Sequence, residues 1–476
     1  MSRQAFPALI LCGLVLLGLT ALGLWLQSQD RIGTFVAVAM AQGAMYLAAV
    51  RIGIGSGLSA RRVVPLVLGF ALAMRALLVA APPYLSTDIY RYIWDGRVIA
   101  AGVNPYRYTP TDPHLAPLRD PDIFPNINRA NYAHTIYPPA AEAIFFAVTR
   151  VSASVTAMKA AMVLFEAVAV ALLLRLFAAR GQPASRIILY AWHPLPLWEF
   201  AGSGHIDAAI VALIALALWS RQRPGRRTTD AGTDPHPALP RKRGRVRVGA
   251  AGAMHLRLPN SITTLALAAA TLVKFYPAAL MPALWRRGER AMPFIFVLAV
   301  VAAYLPFLGV GWGVFGFLPA YLGEEGFASG GTGFYLWAVA RTMLPLGGIS
   351  LLAYVGIAAA LGGGLALWVA RRRLDPAAGA ALIAGLFMLL LSPHYPWYFA
   401  WLVVFACLVP SAALLWLTLA SFLLYLVPVG SQLVWDRPRL LVETALYLPF
   451  MMLAAADLLR RRRRLEQLED AEPAPS

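Results

Sequence analysis

Residues 84–108 read YLSTDIYRYIWDGRVIAAGVNPYRY and gather three arginines and two aspartates among tyrosines and a tryptophan. The stretch follows an apolar segment that ends near Ala81, and it opens a proline-rich loop that runs to residue 137. Aromatic and charged side chains together are typical of a membrane–water boundary. Loops of this length in a compact protein are usually functional or disordered, and the aromatic residues and prolines favour an ordered one. The stretch therefore predicts a water-facing rim on a protein whose other segments lie in lipid.

The composition of the whole chain indicates a membrane protein. Of its 476 residues, 59% are hydrophobic and 13% are charged, which is about half the charged fraction of a typical soluble domain. The net charge is +18, but the arginines form short clusters between apolar segments. That placement is typical of positive-inside topology and argues against nucleic-acid binding. Cys12 and Cys407 lie in apolar segments, so neither a disulfide nor a zinc framework is predicted.

The apolar segments predict an all-α integral membrane protein with about 12 transmembrane helices. Because many spans follow, the first 26 residues are interpreted as an uncleaved first helix rather than a signal peptide. Several segments are shorter than the roughly 20 residues needed to cross a bilayer, which predicts broken or tilted helices. The segments lie near 6–26, 33–50, 63–81, 160–178, 187–201, 206–220, 291–309, 350–370, 377–391, 398–409, 411–428 and 440–459.

The basic clusters predict the orientation of these helices. The clusters expected in the cytoplasm are Arg61-Arg62, the loop 221–247, Arg286 to Arg290, Arg371 to Arg373 and Arg460 to Arg464. For this to hold, 261–285 must enter and leave on one side, as two half-helices that meet at Lys274 to Pro277. Segment 138–150 must then lie along the interface or re-enter. Irregular backbone at such depth is tolerated where it lines a cavity.

This orientation brings polar residues from distant segments to the outer side. These residues come from loop 82–137, the GSGHID turn at 202–207, Lys274, loop 310–340 with Glu324 and Glu325, and SPHYPWY at 392–398. We divide the chain into an N-terminal hairpin (1–60), a core with the outer loop (61–220), a flexible basic linker (221–259), the remaining bundle (260–460) and a cytoplasmic tail (461–476).

Asp88, Arg91 and Asp95 are predicted to share one face of a short helix that Ser86 or Thr87 caps, with Tyr92 beside them. One interpretation is an interfacial anchor in which Arg91 pairs with an aspartate. For Asp88 we favour a general base at the mouth of a cavity. The sequence Asp120-Pro121-Asp122 resembles a metal-binding D-x-D motif, but it lies among prolines without a preceding strand and is interpreted as part of a loop.

Further candidates follow later in the chain. His205 and Asp207 either hydrogen-bond a sugar or cap the helix that follows, and the cap is favoured for Asp207. Lys274 has apolar neighbours on both sides, so its ammonium is expected to snorkel or to meet an anion such as a lipid phosphate. In the second case, its charge should matter more for donor binding than for folding. His394 and Tyr395 are further donors to that phosphate or to hydroxyl groups.

Four motifs in order resemble the GT-C superfamily of polytopic glycosyltransferases, and most closely its bacterial polyprenyl-phosphate-mannose-dependent mannosyltransferases. The motifs are TDIYRYIWDGRVIAAGVNPYRY with IYPP, WHPLPLWEFAGSGHIDA, LVKFYPAALMPALWRR and SPHYPWY, and the resemblance runs from about residue 60 to 410. It implies a polyprenyl-phosphate sugar as donor and Asp88 as base. Many relatives have two acids where this chain has Thr87-Asp88. The superfamily core needs one span before this loop, so 1–50 is interpreted as an appended hairpin.

These observations predict a GT-C-type helical bundle that moves a hexose, by expectation mannose, to an acceptor hydroxyl of a glycolipid or glycan, with inversion. The enzyme would lie in the inner (plasma) membrane, with its active site on the extracytoplasmic side. A divalent metal is left open as a cofactor. The alternatives are a transporter or flippase of lipid-linked sugars and, more distantly, a structural assembly subunit. Besides Asp88 as the catalytic residue, the predicted substrate-binding residues are Arg91, Tyr92, Asp95, Arg97, Asn104, Tyr137, His205, Asp207, Lys274, Tyr276, His394 and Tyr395.

Overall fold

The computed structural model describes residues 2–222, 260–325, 333–343, 351–372, 374–427 and 437–470. Apart from Arg221 and Gln222, the linker predicted at 221–259 lies outside these residues, as does the end of the tail. The described part is all-helical and contains no β-strand. This agrees with the predicted all-α class. A helix is suited to lipid because it satisfies its own backbone hydrogen bonds.

Nineteen α-helices make up most of the described chain. They are α1 (Ser2–Ser28), α2 (Ile32–Gly55), α3 (Ala60–Ala80), α4 (Asp88–Ala100), α5 (Pro139–Val151), α6 (Val155–Ala179), α7 (Ile188–Ala191), α8 (Pro194–Pro196), α9 (Asp207–Ser220), α10 (Ser261–Thr271), α11 (Met281–Leu284), α12 (Ala291–Tyr304), α13 (Leu318–Glu324), α14 (Tyr335–Met343), α15 (Leu351–Arg371), α16 (Pro376–Leu391), α17 (Leu402–Leu408), α18 (Ala412–Ala420) and α19 (Arg437–Asp470). Short 3-10 turns and one π-helical turn, Leu197–Gly202, connect several of them.

Seven helical stretches in the described residues are long and apolar enough to cross a membrane: Gln4–Ser28, Ile32–Gly55, Ala60–Ala80, Val155–Ala179, Ala291–Glu324, Leu351–Arg371 and Arg439–Arg460. Five shorter apolar helices, of 10–17 residues, lie at Asp207–Ser220, Ser261–Thr271, Pro376–Leu391, Pro396–Leu408 and Ala412–Leu426. A straight crossing takes about 20 residues, so the expected total of about 12 spans stays a prediction.

The broken segment 187–207 lies at the centre of the fold, and neighbouring helices supply its hydrogen-bond partners. Arg75 on α3 donates to the Ala191 carbonyl (2.9 Å) and forms a buried ion pair with Glu166 on α6 (2.7 Å). On the other side, Tyr46 of α2 donates to the Leu189 carbonyl (2.9 Å). These bonds satisfy backbone groups that a regular helix would pair internally, as irregular backbone in an apolar core requires.

The predicted break in 261–285 is present and meets the start of α5. Helix α10 ends at Thr271, and the helical turns resume at Tyr276. The carbonyl of Leu272 accepts hydrogen bonds from the backbone N–H groups of Ala140 (3.0 Å) and Ala141 (3.2 Å). The first N–H groups of a helix have no partner within it. The free end of one helix therefore pairs with the free start of the other, and this holds Lys274 beside the outer loop.

Lys159 on α6 is more deeply buried than Lys274, because its side chain is fully inaccessible whereas that of Lys274 is 13% exposed. Its ammonium donates to the carbonyls of Leu78 (3.1 Å) and Ala81 (2.7 Å) at the end of α3. The Ala81 carbonyl lies just beyond α3, and the Leu78 carbonyl also accepts from the Ala81 backbone N–H (3.3 Å). A cation is favourable at such a helix C-terminus. Lys159 thereby fixes the point at which the chain leaves α3 for the outer loop.

Candidate active site

A cavity of about 990 Å³, here called the main cavity, opens where these distant segments meet. Its polar walls come from residues 86–91, 128–134, 324–325 and 394–398, and Lys274 and Tyr276 line it from the break within 261–285. Its apolar walls come from Phe275 and Ala278, from Leu318 and Leu322 on α13, and from Phe387, Met388 and Leu391 on α16. The structure therefore brings together polar residues that are separated by up to about 300 positions in the sequence.

Asp88 is the first residue of α4, and its side chain faces the main cavity. Thr87 stands at the N-cap position of α4, and its side chain makes no capping hydrogen bond. The Ser86 hydroxyl accepts from the backbone N–H of Asp88 (3.2 Å). One carboxylate oxygen accepts a hydrogen bond from the Asn128 amide (2.9 Å). A negative charge is favourable at a helix N-terminus. Asp88 is thus held by one neighbour while its carboxylate remains in contact with the cavity.

Arg91 also lines the main cavity, and it is bonded to Asp95 on the next turn of α4. Its Nε lies 2.8 and 3.0 Å from the two Asp95 oxygens, and a terminal nitrogen donates to the Ala133 carbonyl (3.0 Å). Asp95 is buried behind the wall. Burial raises the pKa of Asp95, although the Arg91 guanidinium opposes this effect. This pairing is the one that the anchor interpretation expected.

Glu142 on α5 extends this buried polar group. Its carboxyl accepts a hydrogen bond from the Thr135 hydroxyl (2.7 Å) and is fully buried. Burial and then the Asp95 charge raise the pKa of Glu142 well above its usual range. Arg91 thus faces two acids, of which Asp95 is the one bonded to its guanidinium.

Lys274 reaches the main cavity, but its partner in the structure is Asp207 and not an external anion. The ammonium lies 2.6 Å from one Asp207 oxygen, and the Tyr276 hydroxyl donates to the other (2.8 Å). The ammonium also lies 4.9 Å from the centroid of the Tyr398 ring. Asp207 is the first residue of α9 and is fully buried. Its carboxylate holds Lys274 and Tyr276 rather than capping its own helix.

The opposite wall contains two further acid–base pairs. Arg129 donates to Glu324 (2.8 Å), and the His394 ring lies 2.8 Å from Glu325, which also accepts from the Tyr395 hydroxyl (3.2 Å). Both glutamates belong to the end of α13, so this short helix closes the cavity over the outer loop.

Among the cavity residues, the sequence analysis did not single out Asn128, Arg129, Tyr321 or Tyr398. The polar run INRANYAH at the end of the loop was the only signal for Asn128 and Arg129, whereas Tyr398 is the last residue of the SPHYPWY motif.

The predicted site residues divide into two groups. Those that line the main cavity are Asp88, Arg91, Tyr137, Lys274, Tyr276, His394 and Tyr395. Those that lie outside its lining are Tyr92, Asp95, Arg97, Asn104, His205 and Asp207.

Within the second group, Asp95 and Asp207 lie behind the cavity wall, bonded to the lining residues Arg91 and Lys274. The other four residues have the following neighbours. Tyr92 stacks on Phe145, with ring centroids 4.5 Å apart. Arg97 pairs with Asp120, whose carboxylate also accepts from the backbone N–H groups of Asp122 and Ile123. Asp120 therefore belongs to a loop turn, as predicted. Asn104 donates to the Phe307 carbonyl (3.0 Å). His205 is fully buried and stacks on Trp397 at 4.2 Å.

In the described part of the chain, no group of three or more histidine, cysteine, aspartate or glutamate side chains is arranged to hold a metal ion. The metal requirement therefore stays open, as it did at the level of the sequence.

Comparison with known protein families identifies the family of this chain. The model of the family described as alpha-(1->6)-mannopyranosyltransferase, N-terminal domain, matches residues 13–286, which is more than half of the chain. The chain belongs to this family. No curated protein and no solved structure matches the chain. Family membership confirms the predicted mannosyltransferase resemblance and indicates an enzyme that transfers a hexose. The matched region contains Asp88, Asp207 and Lys274, whereas Glu324, Glu325 and His394 lie beyond it.

Proposed function

We propose that this protein transfers a mannosyl residue from a polyprenyl-phosphate mannose to a hydroxyl of a mannose-bearing glycolipid or glycan, on the extracytoplasmic face of the plasma membrane. The name of its family suggests an α-1,6 linkage. The observation that carries the proposal is the main cavity, where the Asp88 carboxylate shares one space with the apolar walls of α13 and α16. A lipid-linked sugar needs both surfaces, because its chain is apolar and its reacting end is polar.

In the proposed reaction, Asp88 takes the proton of the acceptor hydroxyl as the oxygen attacks the anomeric carbon. The bond between that carbon and the phosphate oxygen breaks, and its electron pair leaves with polyprenyl phosphate. A single displacement of this kind inverts the anomeric centre. The phosphate leaves as a stable anion, so the site needs one base and no acid.

The developing charge on the phosphate would be stabilised by cations that line the cavity. Arg91, Arg129 and Lys274 line the main cavity, and each is paired with a carboxylate in the structure. A bound phosphate would therefore share the cation with the carboxylate that is paired with that cation in the structure. Arg129 neighbours Asn128, which holds Asp88, so we propose Arg129 together with Lys274 for this role.

The test is transfer of labelled mannose from polyprenyl-phosphate mannose to an α-mannoside acceptor by purified protein in nanodiscs. Asp88→Asn should lower turnover at least about a hundredfold, the usual scale for losing a general base. Asp122→Asn is the matched control, since Asp122 is exposed in the outer loop and does not line the main cavity, and it should retain turnover. An active Asp88→Asn protein beside an inactive Asp95→Asn protein would reassign the base.

A further inference from the structure

A second, smaller cavity of about 410 Å³ lies on the other side of one wall of the main cavity. Leu85, His394, Tyr395 and Trp397 line both cavities. The remaining lining comes from the turn between α1 and α2, from Tyr84, from the 3-10 turn Ser421–Leu426 with Val427, and from α19. A site of this size is at the small end of the range for small-molecule pockets, about 300–1,000 Å³.

Aromatic side chains supply much of this second cavity, and other residues fix three of its tyrosines. Tyr84 donates its hydroxyl to Asp30, Tyr425 donates to Glu199 (2.8 Å), and Tyr395 is bonded to Glu325. The Tyr395 ring stacks on Trp397, with centroids 4.5 Å apart and planes within 9°. Trp397 is stacked between His205 and Tyr395, so Tyr84, Tyr395 and Tyr425 are the rings that can offer a flat apolar surface to a small ligand.

The charged residues of the second cavity suit neutral hydroxyl groups better than an anion. Two carboxylates, Asp30 and Glu443, accompany one guanidinium, Arg439, in its lining. Arg439 bonds one Glu443 oxygen (3.1 Å), and the other oxygen is buried without a hydrogen-bond partner in the described structure. A buried carboxylate oxygen costs free energy until it accepts a hydrogen bond. A sugar hydroxyl supplies the missing donor, whereas a phosphate would be repelled by the two carboxylates.

We infer that the second cavity binds the neutral saccharide end of the acceptor, an α-mannoside. This inference rests on the proposed function and assigns the two substrates to different cavities. The donor occupies the main cavity with its apolar walls, and the acceptor sugar is held across the wall formed by Leu85 and 394–397. Leu85 lines both cavities, whereas Asp88 lines the main cavity alone, so in the proposed complex the reacting hydroxyl of the acceptor extends past Leu85 to reach Asp88.

The experiment measures binding of α-1,6-mannobiose, without donor, to the full protein in nanodiscs by saturation-transfer NMR. Tyr84→Ala should weaken binding about tenfold, the scale for truncating an aromatic anchor. Asp30→Asn should also weaken it several-fold, and asparagine tolerates the positive φ of 54° at this turn. Tyr84→Phe keeps the ring and should bind within about twofold of the parent protein. Tyr108→Ala is the matched control, because Tyr108 lies in the outer loop and lines neither cavity.

Because no donor is present, the result is independent of transfer. A parent protein that transfers no mannose but binds mannobiose through Tyr84 and Asp30 would contradict the proposed function and keep the acceptor site. Absence of mannobiose binding, or equal binding by the parent, Tyr84→Ala and Asp30→Asn proteins, would overturn the inference.

Discussion

At the scale of single residues, the pairing of Lys274 with Asp207 decides how the break within 261–285 is held. A buried carboxylate is costly without a partner, and Asp207 has two, Lys274 and Tyr276. The sequence led us to expect that the Lys274 charge matters mainly for donor binding. In the structure the Lys274 charge also stabilises the fold, because removal of the ammonium would leave the buried Asp207 carboxylate without a counter-charge.

The first prediction concerns this pair. Lys274→Met should destabilise the protein by about 3–5 kcal/mol, the scale for breaking a buried pair from one side. Adding Asp207→Asn should recover most of this loss, because the uncompensated charge is gone and asparagine can still accept from Tyr276. Thermal unfolding of the purified variants measures the effect. Losses that simply add in the double variant would show that the two residues are not coupled.

The double variant also separates the two roles of Lys274. If it is stable but binds polyprenyl-phosphate mannose more weakly than the parent protein, the ammonium also serves the phosphate. Equal donor affinity would leave Lys274 as a structural partner of Asp207 and would leave Arg129 as the proposed phosphate cation.

At the scale of elements, the position of Asp88 depends on the crossing of α4 and α5. Gly96 makes this crossing close: a Cβ there would lie 2.5 Å from the Phe145 carbonyl oxygen and 2.6 Å from the Thr149 hydroxyl. The Phe145 carbonyl belongs to the backbone of α5, so it cannot move without shifting that helix. Since α5 also bonds to Leu272, a shift would reach the segment that carries Lys274.

The second prediction follows from this contact. Gly96→Ala should lower turnover and the unfolding temperature together, because it separates α4 from α5 although alanine is the better helix former. Gly69→Ala on α3 is the matched control, since a Cβ at Gly69 meets nothing within 4 Å, and it should be neutral or slightly stabilising. The measurements are mannosyl transfer and thermal unfolding. A Gly96→Ala protein with parental values of both would mean that the crossing adjusts without cost.

At the scale of the whole molecule, the side of the membrane that the main cavity faces depends on helix α3. This helix has 21 residues, enough for one crossing, and it separates the Arg61-Arg62 cluster from the outer loop. By the positive-inside rule the arginines lie in the cytoplasm. The loop, and the cavity that it lines, would then face the opposite side.

The third prediction tests this orientation with cysteines placed in a background in which Cys12 and Cys407 are replaced by alanine. Asp122→Cys should react with an impermeant thiol reagent added to intact cells. Arg62→Cys and Arg372→Cys should react only after permeabilisation. All three positions are exposed in the structure, so a failure to react reports the side and not burial. The reverse pattern would place the main cavity in the cytoplasm and contradict an extracytoplasmic donor.

The sequence by itself determined the membrane class, the short helix that begins at Asp88, the break near Lys274 and the resemblance to mannosyltransferases. These features are local: apolar length, charge placement and motif spacing are properties of neighbouring residues. The tertiary structure decided which polar groups meet. Asp207 looked like a helix cap and is the buried partner of Lys274. Lys159 had no predicted role and donates to carbonyls at the end of α3, and Asn128 and Arg129 had only a short polar run as their signal. Which carboxylate pairs with which cation depends on how distant helices pack, because each buried charge must find its counter-charge in space and not along the chain.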